Sequence, residues 1–280
     1  MTLDEVIRGI FYLVAVFILF GVGKLVYDKL NRRFVVREEL VKKDNFALAL
    51  VVAGYYLGLV IALGGVLAGE SEGFINDMID IFIYGLMSIV LLNFSVWIND
   101  RIILRKFDNI KEIIEDQNAG TGIVEAANHI AVGMIIYGAM TGYGDVVTGA
   151  VFWLLGQLTL IVAGLVYNWI TPFDIHEQIE RDNVAVGVAF AGVLVAMGNV
   201  IRVGASGDFV SWQENLTTFG GFVLFGLIML PIIRTVTDKL LLPGERLTDE
   251  LVAQDKPNVG AGVIEALSYI AASFLVGWVV

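Results

Sequence analysis

Eight runs of apolar residues, each close to 20 long and nearly free of charge, alternate with polar segments along the chain, at about 6–27, 45–68, 78–98, 119–141, 146–170, 183–203, 216–236 and 259–280. Wound as helix, a run of that length crosses the ~30 Å hydrocarbon core of a bilayer and satisfies its own backbone groups on the way. The pattern predicts an all-α membrane protein of eight spans. The polar segments alternate in kind. Those after even spans are short: an acidic loop at 69–73, the turn Gly142-Tyr143-Gly144 with no next span behind it until 146, and a polar loop at 204–214. Those after odd spans are longer. At 34–44, 107–116, 173–182 and 247–255 they mix spaced apolar residues (Val41, Ile113, Ile179, Val252) with charges. That mixture predicts short amphipathic helices lying at the membrane surface. Each odd span ends in a polar residue, Asp28, Asp100, Asn168 or Asp238, and Pro231 predicts a kink in span seven.

A repeat organises these runs. Asn118-Ala-Gly120-Thr-Gly122-Ile-Val-Glu125-Ala126 returns as Asn258-Val-Gly260-Ala-Gly262-Val-Ile-Glu265-Ala266. Looser copies begin at Asn45 and Asn183, so the chain divides into four hairpin units in the order A-B-A-B. Two halves follow, 1–143 and 144–280, related by a pseudo-two-fold axis. Every hairpin enters from the same side, so the repeats are parallel in topology. Four residues beyond each Asn, and again eight beyond, the residue is small: Ala49 and Ala53, Gly122 and Ala126, Gly187 and Ala191, Gly262 and Ala266. This small-xxx-small spacing lets membrane helices approach closely.

At helical pitch Glu125 and Glu265 stand within ~60° of that small-residue stripe, so they point into the protein and not at lipid. His129 in one copy and Tyr269 in the other follow on the same face. An ionisable group inside a membrane is costly unless paired or neutral. Two in equivalent places of two halves suggest either a pair sharing a proton or cation, or interhelical hydrogen bonding. Glu125 with His129 is at most half of a metal site, and no further ligand stands by. The recurring Asn45, Asn118, Asn183 and Asn258 read either as helix N-caps, with Asp44, Asp116, Asp182 and Asp255 beside the positive dipole end, or as a ring of four amides at a mouth. Asn93, Gln157 and Asn199 are expected to hydrogen-bond between helices, and Arg202 to snorkel. Trp97, Trp153, Trp169, Trp212 and Trp278 are expected in the interfacial belt.

Composition agrees. Hydrophobic residues make up 57% of the chain, and the mean hydropathy is +0.78. A net charge of −11 argues against nucleic-acid binding. With no Cys there is no disulfide or thiol chemistry. The first run follows Asp4 and Glu5 and not a basic stretch, so it is expected to stay as a span. Of 18 Lys and Arg, all but Arg8 and Arg202 lie in or beside the segments after odd spans. The positive-inside rule then places those linkers in the cytoplasm and both termini outside. Nucleophile-elbow, zinc-protease, Walker and dinucleotide-binding motifs are missing, so no catalytic residue, metal or cofactor is expected.

The frame Asp-Asn-x-Ala-x-x-x-x-x-Ala-Gly with glycines downstream (Asp44 to Gly65, Asp182 to Gly204), preceded by Glu38-Glu39-Leu40 or Glu177-Gln178-Ile179, resembles the YjfL-like family, also called domain of unknown function 350. The resemblance covers nearly the whole chain. It implies two four-span modules fused in tandem, a prokaryotic inner-membrane location and envelope-stress contexts, and it supplies no catalytic residues. Two functions stand at this stage. One is a channel or transporter for a cation or proton, with Glu125 and Glu265 at its centre. The other is a non-transporting scaffold whose amphipathic linkers recruit a peripheral cytoplasmic protein. Lipids and further copies of the chain complete the expected partners.

Overall fold

In a computed structural model, residues 2–69, 71–103, 108–242 and 244–279 are described. All regular structure among them is helical. The helices are α1 (Leu3–Leu30), α2 (Val36–Val41), α3 (Phe46–Leu67), α4 (Phe74–Ile102), α5 (Asn109–Ile114), α6 (Ala119–Met140), α7 (Val146–Ile170), α8 (Ile175–Glu180), α9 (Val184–Ala205), α10 (Trp212–Val236), α11 (Leu247–Val252) and α12 (Val259–Val279). Eight of these are long and apolar enough to cross a membrane. The four six-residue helices occupy the linkers after the odd spans, as the mixed apolar and charged pattern predicts. Glu70, Arg105, Lys106, Phe107 and Val280, which enter the sequence expectations, lie outside the described residues.

The long helices make two layers. α3, α6, α9 and α12 stand in a row in that order, each in extensive contact with the next. Over them α4 packs on α3 and α6, α7 on α6 and α9, and α10 on α9 and α12, while α1 covers α3 and α4. α9, in the middle, has 83% of its apolar window buried, against 17% for the outlying α1.

The row is close-packed because its contact positions are glycine or alanine. A Cβ on Gly122 would lie 2.7 Å from the Ala47 carbonyl oxygen, one on Gly187 2.8 Å from the Gly120 carbonyl oxygen, and one on Gly198 2.7 Å from Ala131 Cα. Gly262 against Ala185, and Gly54 and Gly192 against Ala126 and Ala266, repeat the same approach. The small-residue stripe therefore builds joints along the row as its spacing predicts. Ala49 and Ala53 differ: they lie on the outer side of α3, where Ala53 is exposed.

Several expectations need correction. The apolar side chains of three short helices turn into the bundle, with Ile113, Ile175, Ile179, Leu247 and Leu251 all buried, because the ends of the long helices offer them apolar cover. Among the four residues used to predict surface helices, Val41 alone is strongly exposed. Trp153 is interior, its indole N–H donating to Ser95 Oγ at 2.8 Å, whereas the other four tryptophans are exposed. Arg202 folds back to donate to Asn199 Oδ1 and lies over the Tyr137 ring. α10 continues past Pro231, and a π-helical turn follows at Thr237–Leu241.

Candidate functional site

Each long helix of the row starts at the repeated asparagine. A left-handed residue precedes three of them, Asp44 (φ 52°), Gln117 (φ 53°) and Asp182 (φ 58°), and reverses the chain out of the short helix. Asn45, Asn118 and Asn183 then cap, their Oδ1 accepting from the N–H of Leu48, Thr121 and Val186. Asn258 Oδ1 accepts likewise from Ala261 N–H. The side-chain amides form no ring. Three are directed to the short helix of the following unit: Asn45 Nδ2 donates to the Ile113 carbonyl (2.8 Å), Asn118 to Ile179 (2.7 Å) and Asn183 to Leu251 (2.9 Å), while Asn258 Nδ2 donates to Glu250 of its own unit. Asn118 also donates to Glu112 at 2.9 Å. Burial pushes the Glu112 carboxyl above the usual carboxylate range, and this amide pulls it the other way.

Asn118→Ala removes the cap, which is worth about 0.5–2 kcal/mol. It also leaves the Ile179 carbonyl and Glu112 carboxyl without their donor, at about 1–3 kcal/mol more. A loss of roughly 2–4 kcal/mol is expected in thermal or denaturant unfolding. An unchanged unfolding midpoint would show that water replaces this amide.

The two repeated glutamates are buried, as the stripe requires, at 3% and 0% exposure. They are not a pair. α9 separates the helices that carry them, and each has its own partners. Glu125 accepts from Asn109 Nδ2 at 2.6 Å, and its carboxyl group faces that of Asp100, where α4 ends. Two carboxylates set side by side in a buried site repel each other unless a proton neutralises one of them. Deeper along the same face, Asn99 Nδ2 donates to Asn128 Oδ1 at 2.5 Å, Gln157 donates to Asn99 Oδ1, and the Trp153–Ser95 bond lies one turn farther. A polar column thus runs between α4, α6 and α7.

Glu265 sits in opposite chemistry. Arg234 Nη1 donates to its Oε1 at 2.5 Å, and Tyr167 Oη donates to the same oxygen at 3.0 Å. This is a buried ion pair, with the guanidinium 11% exposed and the carboxylate 0%. Tyr167 and Phe173 present their rings to Arg234. The two copies of one motif have therefore diverged, one into a carboxyl pair and the other into a salt bridge.

His129 and Tyr269, at matching positions, join neither carboxylate. His129 Nδ1 lies 2.7 Å from the Glu125 backbone carbonyl, and its ring meets Tyr55 edge-on. Tyr269 Oη donates to the Leu230 carbonyl at 3.1 Å. The partners that sequence reasoning missed are Asp100, Asn109, Arg234 and Tyr167. Asp100 stood out only as a polar span end, and Arg234 only as one of the basic residues beside a linker. A cavity of about 320 Å³ lies at the opposite end of the bundle, lined by Tyr84, Asp80, Asp145 and Thr148 among others.

Eight helices long and apolar enough to cross a membrane, packed in two layers, define a multi-pass membrane protein. The chain belongs to the DUF350 family, Domain of Unknown Function (DUF350), which matches it twice, over residues 1–140 and 143–280. It is 27% identical over 271 residues to a UPF0719 transmembrane protein of Aquifex aeolicus (strain VF5), covering 94% of this chain and 97% of that one. The UPF0719 transmembrane protein YshE of Bacillus subtilis (strain 168) is 24% identical over 132 residues, 47% of this chain and 92% of its own length. No solved structure matches.

Proposed function

We propose that this chain moves protons across a membrane, with Asp100 and Glu125 as the group that takes up and releases them. The observation that carries this reading is the placement of two carboxyl side chains, Asp100 and Glu125, against each other inside the bundle, beside Asn109 and the amide column Asn128–Asn99–Gln157. A carboxyl pair holding one proton passes it on when either member turns to another acceptor. On α4 the buried Ser95 and Ser88 continue towards Tyr84 and the far cavity. Glu265, held by Arg234, has a structural role. The chain acts without catalysing a covalent reaction. Its four parallel hairpins form two modules, 1–143 and 144–280, with pseudo-two-fold symmetry, short-helix linkers in the cytoplasm and both termini outside. Support for that orientation comes from the 16 of 18 basic residues in or beside those linkers.

A second reading has its own observation. The row of glycine and alanine contacts is tight enough to exclude water, and three of the four short helices dock on it, which suits a scaffold that recruits a cytoplasmic protein. Flux separates the two. Proteoliposomes with a pH dye and a potential dye are expected to show proton flux for wild type, and flux reduced at least tenfold in a folded Glu125→Gln or Asp100→Asn variant. Wild type without flux across H⁺, Na⁺ and K⁺ gradients abandons the first reading for the scaffold.

A further inference from the structure

Three joints along the row repeat one design, and the two ends of the row are its unmatched halves. In each joint the asparagine of one unit donates to the carbonyl of the fifth residue in the next unit's short helix: Ile113 in α5, Ile179 in α8, Leu251 in α11. In each, the glycine four places beyond the next asparagine meets the residue two places beyond the previous one: Gly122 on Ala47, Gly187 on Gly120, Gly262 on Ala185. The outer side of α12 carries the first half of this design, Asn258 and Gly260 with Leu267 and Ala271 above, all exposed. Asn45, Asn118 and Asn183 are buried by the unit that follows, whereas among the described residues Asn258 Nδ2 reaches Glu250 of its own unit, at 2.7 Å. The outer side of α3 carries the second half, Ala49 and Ala53 with Val60 above, and Leu40 is the fifth residue of α2. Val41, at the end of α2, stays exposed while the short helices of the later units bury their apolar residues.

We infer that this chain assembles head to tail, the outer face of α12 in one copy docking on α3 and α2 of the next. Asn258 then donates to the Leu40 carbonyl of the second copy, and Gly260 faces its Ala49. The argument is continuity with an interface already present. The α6–α9 joint connects the two family modules within the chain. A relative that 47% of this chain covers to 92% of its length holds one such module, so in it the same joint can form only between chains. Leu267 and Val60 stand where the internal joints have only glycine, alanine or serine, so the joint between copies is wider than those within one. Such a contact is heterologous, and it closes a ring if the rotation per copy divides a full turn and otherwise runs on.

The chain has no cysteine, which makes the test free of background. Ala53→Cys and Leu267→Cys face each other across the inferred joint and not across any joint of a copy with itself. Differently tagged chains carrying one substitution each, co-expressed and treated in the membrane with a membrane-permeant oxidant, are expected to give a disulfide-linked dimer. Either variant alone is expected to give none. The doubly substituted chain is expected to give a ladder, or a single closed species. A mixed pair that yields no adduct while both chains elute as folded protein overturns the inference, as does self-linking of Ala53→Cys, which would mean a face-to-face contact. Native mass spectrometry of wild type from lipid nanodiscs checks it without substitution: two or more copies are expected, falling to one in Leu267→Trp, and a monomeric wild type overturns it.

Discussion

Arg234→Ala is expected to cost about 3–5 kcal/mol and to remove most folded protein from the membrane, because it leaves a carboxylate buried with no counter-charge. Glu265 is fully buried, and its Oε1 takes both donors, Arg234 and Tyr167, while Oε2 has no partner among the described residues. Taking away the guanidinium leaves Tyr167 as the sole donor. An ordinary domain has about 5–15 kcal/mol of stability in all, so a loss of this size is close to unfolding. The readout is the thermal unfolding midpoint in mild detergent, with the yield of monodisperse protein beside it.

The reverse truncation separates charge from packing. Glu265→Gln keeps the shape and an acceptor for Tyr167, and it leaves Arg234 beside the rings of Tyr167 and Phe173, so it is expected to cost less than Arg234→Ala. Arg234→Leu with Glu265→Leu removes both charges, and apolar replacement of a whole buried pair is often neutral or stabilising. The double variant should therefore recover most of what either single change loses. If Arg234→Ala melts with wild type, the pair contributes nothing to stability and the second half regains a claim to carry the function.

The spans and the inward direction of both glutamates could be read from the chain because each rests on a period: about 20 apolar residues per crossing, and small residues at four and eight places beyond each asparagine. What stands opposite Glu125 and Glu265 has no period. Asp100 and Arg234 come from α4 and α10, which lie in the other layer. Repeat identity argued for like environments, and two substitutions on neighbouring helices undid it. The asparagines show the opposite outcome. Their capping role follows from position alone, but the bond each sends to the following unit depends on how the units stack, which local sequence does not state. Trp153 was misplaced for a related reason: closeness to a span end does not tell which way a side chain turns, and Ser95 offered its N–H an internal acceptor.

Gly187→Leu tests whether close approach, and not glycine as such, holds the two modules together. In the interior of an exposed helix, replacing glycine is worth up to about 1 kcal/mol in favour of the substituted residue. Gly220 in α10 is such a position, with nothing within 4 Å of a built Cβ, and Gly220→Ala is expected to leave stability unchanged or slightly raised. At Gly187 a Cβ meets Gly120 backbone atoms at 2.8, 2.9 and 3.1 Å, and backbone cannot rotate aside as a side chain does. The helices must part, which separates Gly198 from Ala131 and stretches the Asn118 bond to the Ile179 carbonyl along the same joint. Overpacking of this kind typically costs about 1–3 kcal/mol where side chains can yield and more where only backbone is met. Opposite signs at two helix glycines, measured as unfolding midpoints in the same detergent, assign the joint to steric fit. A tolerated Gly187→Leu would mean that α6 and α9 have room to separate without loss, and the row would then owe its cohesion to the asparagine bonds and the covering layer.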